Sequence, residues 1–212
     1  MIANPIGEAV SVMRHLAIPR AATIVALLAA STFMGACASD GTERQAAAPV
    51  PIASAPEQLA ERLPAQAAGF RRGATAPVQQ PSRGVEVAYS TGGRSAAGFV
   101  QVLGAPGPLA DGVQSEAVQA EYRRWLDETA RGAASRRLRV ASESMQPPQS
   151  PLFRCAEMEG TYGRQPVQSV LCVGAAGGQM LRLRVSMPRR DPPVADFRAF
   201  IRDITAALRA AS

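Results

Sequence analysis

Lysine is absent from this 212-residue chain: all 23 of its basic residues are arginines. With 17 acidic residues the formal charge is +6, yet the arginines are scattered and no long basic run occurs. GC-rich codon usage accounts for such a composition before function is invoked. Aromatics are scarce as well, at 5% with a single tryptophan, Trp125. Nucleic-acid binders show a basic stripe or a recognisable motif, so nucleic acid is not an expected partner. Histidine is nearly missing. The only one, His15, lies in an N-terminal leader, which leaves the rest of the chain without an imidazole for a Ser-His or Cys-His pair or for metal ligation. Arginine stays protonated and cannot serve as the base instead. Glycine-rich phosphate loops, internal repeats and coiled-coil heptads are also lacking. No cofactor and no metal are expected.

The most informative stretch is the apolar run from Ala21 to Cys37. Arg14 and Arg20 precede it, Ile24 to Leu28 form its most hydrophobic part, and it closes on small residues, the order of a secretory signal. As a membrane span the uncharged segment is only marginally long enough, and Ser31, Thr32 and Gly35 thin its apolar character. Met34-Gly35-Ala36-Cys37 resembles the lipobox of bacterial lipoproteins. That resemblance implies cleavage before Cys37, lipidation of Cys37, and attachment to a membrane through the N-terminal lipid. Ala38 stands where the inner-membrane retention signal carries Asp, which implies the outer membrane, on its periplasmic face. Residues 1–36 are then a signal peptide, with Met13 an alternative start. Residues 37–56 are mostly Ala, Pro, Ser and small polar residues, too poor in apolar surface to order themselves, and read as a tether. Residues 57–212 remain for one domain of ordinary size.

With Cys37 assigned to lipid, Cys155 and Cys172 are left as a pair in an oxidising compartment. A turn centred between Gly163 and Arg164 puts them opposite one another in a non-hydrogen-bonded pair, with Cα atoms about 4.5 Å apart. That lies at the short end of the disulfide range. The same register sets Cys172 beside Leu181 on an apolar face, yet Glu157 and Glu159 share that face with Cys155. Either the hairpin carries a bulge or its tip extends past the core. Two separately buried thiols are the alternative.

Along the rest of the chain, Glu57 to Leu63 predicts one or two helical turns ended by Pro64, and Gly69 to Gly73 an edge strand. Val85, Val87 and Tyr89 alternate with Glu86 and Ala88, the period of a half-buried strand. Thr91-Gly92-Gly93 turns the chain, and Phe99 to Leu103 returns. A helix is predicted from about Gly112 to Arg131, with Val118, Tyr122, Trp125, Leu126 and Thr129 on one face and Gly132 as its cap. At that spacing Trp125 reads as core. Leu138 and Val140 begin a fourth strand. Leu152 to Thr161, Val167 to Gly174 and Leu181 to Val185 follow it. Asp191-Pro192 reads as an N-cap with proline in the first turn, ahead of a closing helix lined by Val194, Phe197, Ile201, Ile204 and Leu208. Hairpin runs with helices set apart mean α+β: an antiparallel sheet of about six or seven strands carrying a central and a C-terminal helix.

Leu63-Pro64 with Gly69-Phe70-Arg71-Arg72-Gly73, Asp111-Gly112, and Leu181 to Pro188 with Asp196-Phe197 resemble a family of proteobacterial lipoproteins of unassigned role. The element order is also similar to the PsbP-like layout, a sheet with helices packed on it. The resemblance implies an accessory or binding role and supplies no catalytic residues.

Two side-chain sets merit weighing. Arg137 with Arg139, and Arg182 with Arg184, each share a strand face and form a candidate anion-binding patch if their strands are neighbours. The plainer reading is a solvated face. Glu157 and Glu159 could be an acid/base pair as in glycoside hydrolysis, although a surface hairpin also explains them. The expectation is therefore a non-catalytic accessory or binding module for an envelope component. A carboxylate-based hydrolase of cell-wall or lipid substrates, or an Arg-lined binder of anionic headgroups, is the alternative.

Overall fold

Strands of period two put apolar side chains on one surface and leave the other to be covered separately. The computed structural model describes residues 55–131 and 138–210. The elements are α1 (Ala55–Glu61), β1 (Gln66–Ala67), β2 (Phe70–Val78), β3 (Gly84–Thr91), β4 (Ala97–Gly104), α2 (Glu116–Arg131), β5 (Arg139–Gln146), β6 (Phe153–Tyr162), β7 (Gln165–Ala176), β8 (Gln179–Pro188) and α3 (Phe197–Arg209). All strands belong to one antiparallel open sheet of eight, in the order β1-β2-β3-β4-β8-β7-β6-β5. Two meanders, β1 to β4 and β5 to β8, meet where β4 pairs with β8, and α2 connects them. The class is α+β, with α2 and α3 packed on the sheet. The strand count exceeds the expected six or seven because Gln66–Ala67 adds a two-residue strand and every other segment forms.

One face of the sheet is dry. Phe70, Val87, Val100, Val102, Leu181, Leu183 and Val185 point to it, and α3 covers them with Phe200, Ile201, Ile204 and Leu208. The Phe200 ring sits 4.6 Å from Phe70 and edge-on to Tyr89 at 5.2 Å. Gly98 makes room for it, since a Cβ there would come within 3.2 Å of the Phe200 ring. Leu59, Ala60 and Leu63, from α1 and the turn after it, join the same core. The helix spans Ala55–Glu61, where the sequence predicts Glu57 to Leu63.

The opposite face has a smaller core of Leu103, Val113, Val118, Tyr122, Ala156, Val173, Ala175 and Met180. Helix α2 starts later than predicted. Gly112 takes φ +97 and exchanges hydrogen bonds with Ala175 across an isolated bridge, while the Ser115 hydroxyl caps the helix by accepting from the Val118 amide at 3.2 Å. Of the predicted face, Val118 and Tyr122 are buried, and Trp125 and Leu126 only partly so. Helix α3 also starts later. Its N-cap is Asp196, which accepts from the Ala199 amide at 2.9 Å, and not Asp191. Gly132 lies outside the described residues.

Cys155 and Cys172 are joined by a disulfide, with Cα atoms 4.0 Å apart. The β6–β7 register runs without a bulge from Phe153↔Gly174 to Tyr162↔Gln165, and Gly163 takes φ +59 as the first residue of the two-residue turn. Positive φ at that position is what a type II′ hairpin turn requires. Cys172 stands opposite Leu183, two residues on from the expected Leu181. The tension over Glu157 and Glu159 resolves in favour of a long hairpin. Cys155 lies in the core, while Glu157 reaches only the first turn of α3, where Arg198 donates to it at 2.6 Å.

Candidate functional site

The cross-strand rows beside and beyond α2 hold most of the polar chemistry. The first row runs Glu86, Gln101, Arg182, Val173, Arg154 and Met145 across six strands. Arg182 is 5% exposed, and a cation so placed needs a partner. Helix α2 brings one: Glu121 accepts from Arg182 Nε and also from Arg124, and Glu128 lies 3.6 Å from Arg182 Nη2. The guanidinium also covers the Trp125 ring at 4.9 Å, so Trp125 is as much a partner of this cation as a core residue. Burial pulls the Arg182 guanidinium below its ordinary value, and the Glu121 carboxylate offsets that. In the same row Arg154 lies 4.5 Å over Tyr122 and donates to Glu143 at 2.9 Å. That hydrogen bond holds the Glu143 carboxyl below the usual carboxylate range.

The next row carries Phe99 and Arg184, the guanidinium 5.4 Å over the ring. Beyond it the row is Ala97, Ser186 and Ser169, whose hydroxyls hydrogen-bond at 2.8 Å. These small side chains floor a groove of about 340 Å³ at the end of the sheet where β4 starts and β8 ends. Arg94, from the β3–β4 turn, lines its mouth together with Leu138, Tyr162 and Gln165. Arg94 is held at φ +54, a conformation that disfavours any side chain with a Cβ.

The structure does not bring Arg139 to Arg182 and Arg184. Strand β5 lies at the sheet edge, separated from β8 by β6 and β7. Arg139 pairs across β6 with Glu159 on the α3 face, whereas Arg182 and Arg184 face α2. Arg137 and Cys37 lie outside the described residues. Glu157 and Glu159 sit above a notch of about 30 Å³. Each is taken up by arginine: Glu157 by Arg198 at 2.6 Å, and Glu159 by Arg189 at 2.9 Å and Arg139 at 3.7 Å. Among the described residues no group of three or more His, Cys, Asp or Glu side chains could hold a metal ion.

Sequence reasoning missed the groove. Its lining comes from the β3–β4 turn, the residue before β5 and the ends of β4, β6, β7 and β8, and these meet only through the β4–β8 junction between the two meanders. The available signal was the arginine directly after Thr91-Gly92-Gly93, a bulky residue in a turn that favours small ones. No protein-family model matches the chain, and no curated protein is similar to it.

Proposed function

We propose that this chain is a lipid-anchored protein of the bacterial envelope, held on the periplasmic face of the outer membrane through Cys37. Its domain acts there as a non-catalytic accessory or binding module, in keeping with the PsbP-like element order. The observation that carries the reading is the disulfide between Cys155 and Cys172, since such bonds persist in oxidising compartments and are rare in the cytosol. It agrees with the signal and lipobox that precede the domain. Among the described residues no helix is long and apolar enough to cross a membrane.

The charged side chains favour binding over catalysis. A carboxylate hydrolase needs an acid and a base free to exchange protons inside a cleft. Glu157 and Glu159 are instead engaged by arginines above a notch of only about 30 Å³. Changing Cys37 to Ser is expected to leave an unprocessed precursor that takes up no radiolabelled palmitate. Palmitate entering that variant would remove the anchor from this reading. Crosslinking in cells, followed by identification of what is captured, then tests the accessory role.

A further inference from the structure

We propose that the groove at the β4–β8 end of the sheet binds a small apolar monocarboxylate. The proposal rests on reading the domain as a binding module, and adds to it a site and a ligand class. Two features of the lining point the same way. Its floor and walls are largely aliphatic, from Ala97, Leu138, Val167, Met187 and Pro188, and among the described residues no Asp or Glu lines it. Among those residues its one charged member is Arg94.

Arg94 differs from four other arginines of the domain. Arg182, Arg154, Arg189 and Arg198 are each paired with a glutamate. Arg94 has no ion pair or hydrogen bond among the described residues. It is held at the groove mouth by a turn whose backbone at that residue is strained. The Ser169 and Ser186 hydroxyls, bonded to each other on the floor, retain the capacity to accept or donate once more. A carboxylate at the mouth would meet the fork of Arg94, and its hydrocarbon would lie along the aliphatic walls. At about 30 Å³ for each water-sized group, 340 Å³ accommodates on the order of ten non-hydrogen atoms, the size of octanoate.

Equilibrium dialysis of radiolabelled octanoate against the full processed chain in lipid nanodiscs, with empty nanodiscs subtracted, tests this. Saturable binding of one octanoate per chain is expected, at least tenfold weaker for Arg94→Gln and at least tenfold weaker for octan-1-ol. Val167→Phe, which fills the groove and keeps the charge, is expected to weaken binding as much. Arg123→Gln, on the exposed side of α2, is expected to change nothing. Retention only in proportion to lipid, equal binding by Arg94→Gln, or an equal loss in Arg123→Gln would each overturn the site. The dialysis reads the groove whether the chain enters nanodiscs or stays in solution, whereas palmitate labelling reads the anchor alone.

Discussion

Helix α3 covers its face of the sheet with Phe200, Ile201, Ile204 and Leu208, while α2 covers the other with Val118 and Tyr122 and completes its contact through charge. The consequences differ. Apolar burial is non-directional and scales with area, so the α3 face can only be stable or unstable. The α2 contact depends on Glu121 and Glu128 meeting Arg182 beside Trp125. A buried ion pair roughly breaks even against a hydrophobic replacement, yet losing one member is costly. One scaffold thus carries a face that holds the fold and a face that can vary its contacts. The groove opens on the second, beyond the reach of α2.

The largest way to break this contrast is Phe200→Ala, expected to cost about 3–5 kcal/mol as a lower urea midpoint with unchanged slope. Val118→Ala on the α2 side is expected to cost about half as much, and equal losses would erase the distinction. Next comes the disulfide, which ties β6 to β7 within the α3 core. Cys155→Ala with Cys172→Ala opens a loop of about 18 residues and is expected to cost about 3 kcal/mol, read in the same denaturation. Mass spectrometry of the oxidised parent after alkylation is expected to find neither thiol modified.

Alkaline pH acts on the α3 face through Tyr89. Burial pushes its phenol up to about 12, against the pull of Arg72, and its hydroxyl donates to the Pro64 carbonyl at 2.8 Å. A raised value means the folded state holds its proton more tightly than the unfolded chain. The contribution is therefore complete below pH 10 and is lost as pH rises towards 12, about 2.7 kcal/mol in all. Tyr89→Phe is expected to flatten that decline in a series of thermal melts.

Smaller effects concern charge. Arg182→Met leaves Glu121 with Arg124 as a partner, so less than the ~3–5 kcal/mol of an abandoned buried charge is expected, read as roughly tenfold faster hydrogen exchange in α2, about 1.4 kcal/mol, and little change in α3. Adding Glu121→Leu should return most of it. The smallest is Arg198→Gln, on an exposed pair with Glu157, expected to move stability by no more than about 0.5 kcal/mol.

How much of this was legible in the residues follows from distance along the chain. The β6–β7 hairpin depends on a two-residue turn, so its register and the opposition of Cys155 to Cys172 could be worked out locally. β1 could not, because two residues show no alternation. The length of β2 was hidden by Gly73 and Pro77, which read as breakers. They are tolerated because β1 pairs β2 only through Gln66↔Arg71 and Ala67↔Phe70, leaving the later residues on an open edge where proline fits. The sheet order was hidden too. Arg139 lies apart from Arg182 and Arg184 because β7 and β6 stand between β8 and β5, and no local pattern encodes that choice. Trp125 shows the same limit, since helical spacing identifies a contacting face but not that a guanidinium waits opposite.

The antiparallel course of the strands also sets an orientation. Leu59 of α1 lies beside the β7–β8 turn, close to where a Cβ on Gly177 would be. Strand β7 runs from there to the groove through the 12 residues from Gln165 to Ala176, about 40 Å at the usual rise per residue. The sheet therefore holds two features apart: Leu59 of α1 packs at one end of β7, and the groove opens at the other.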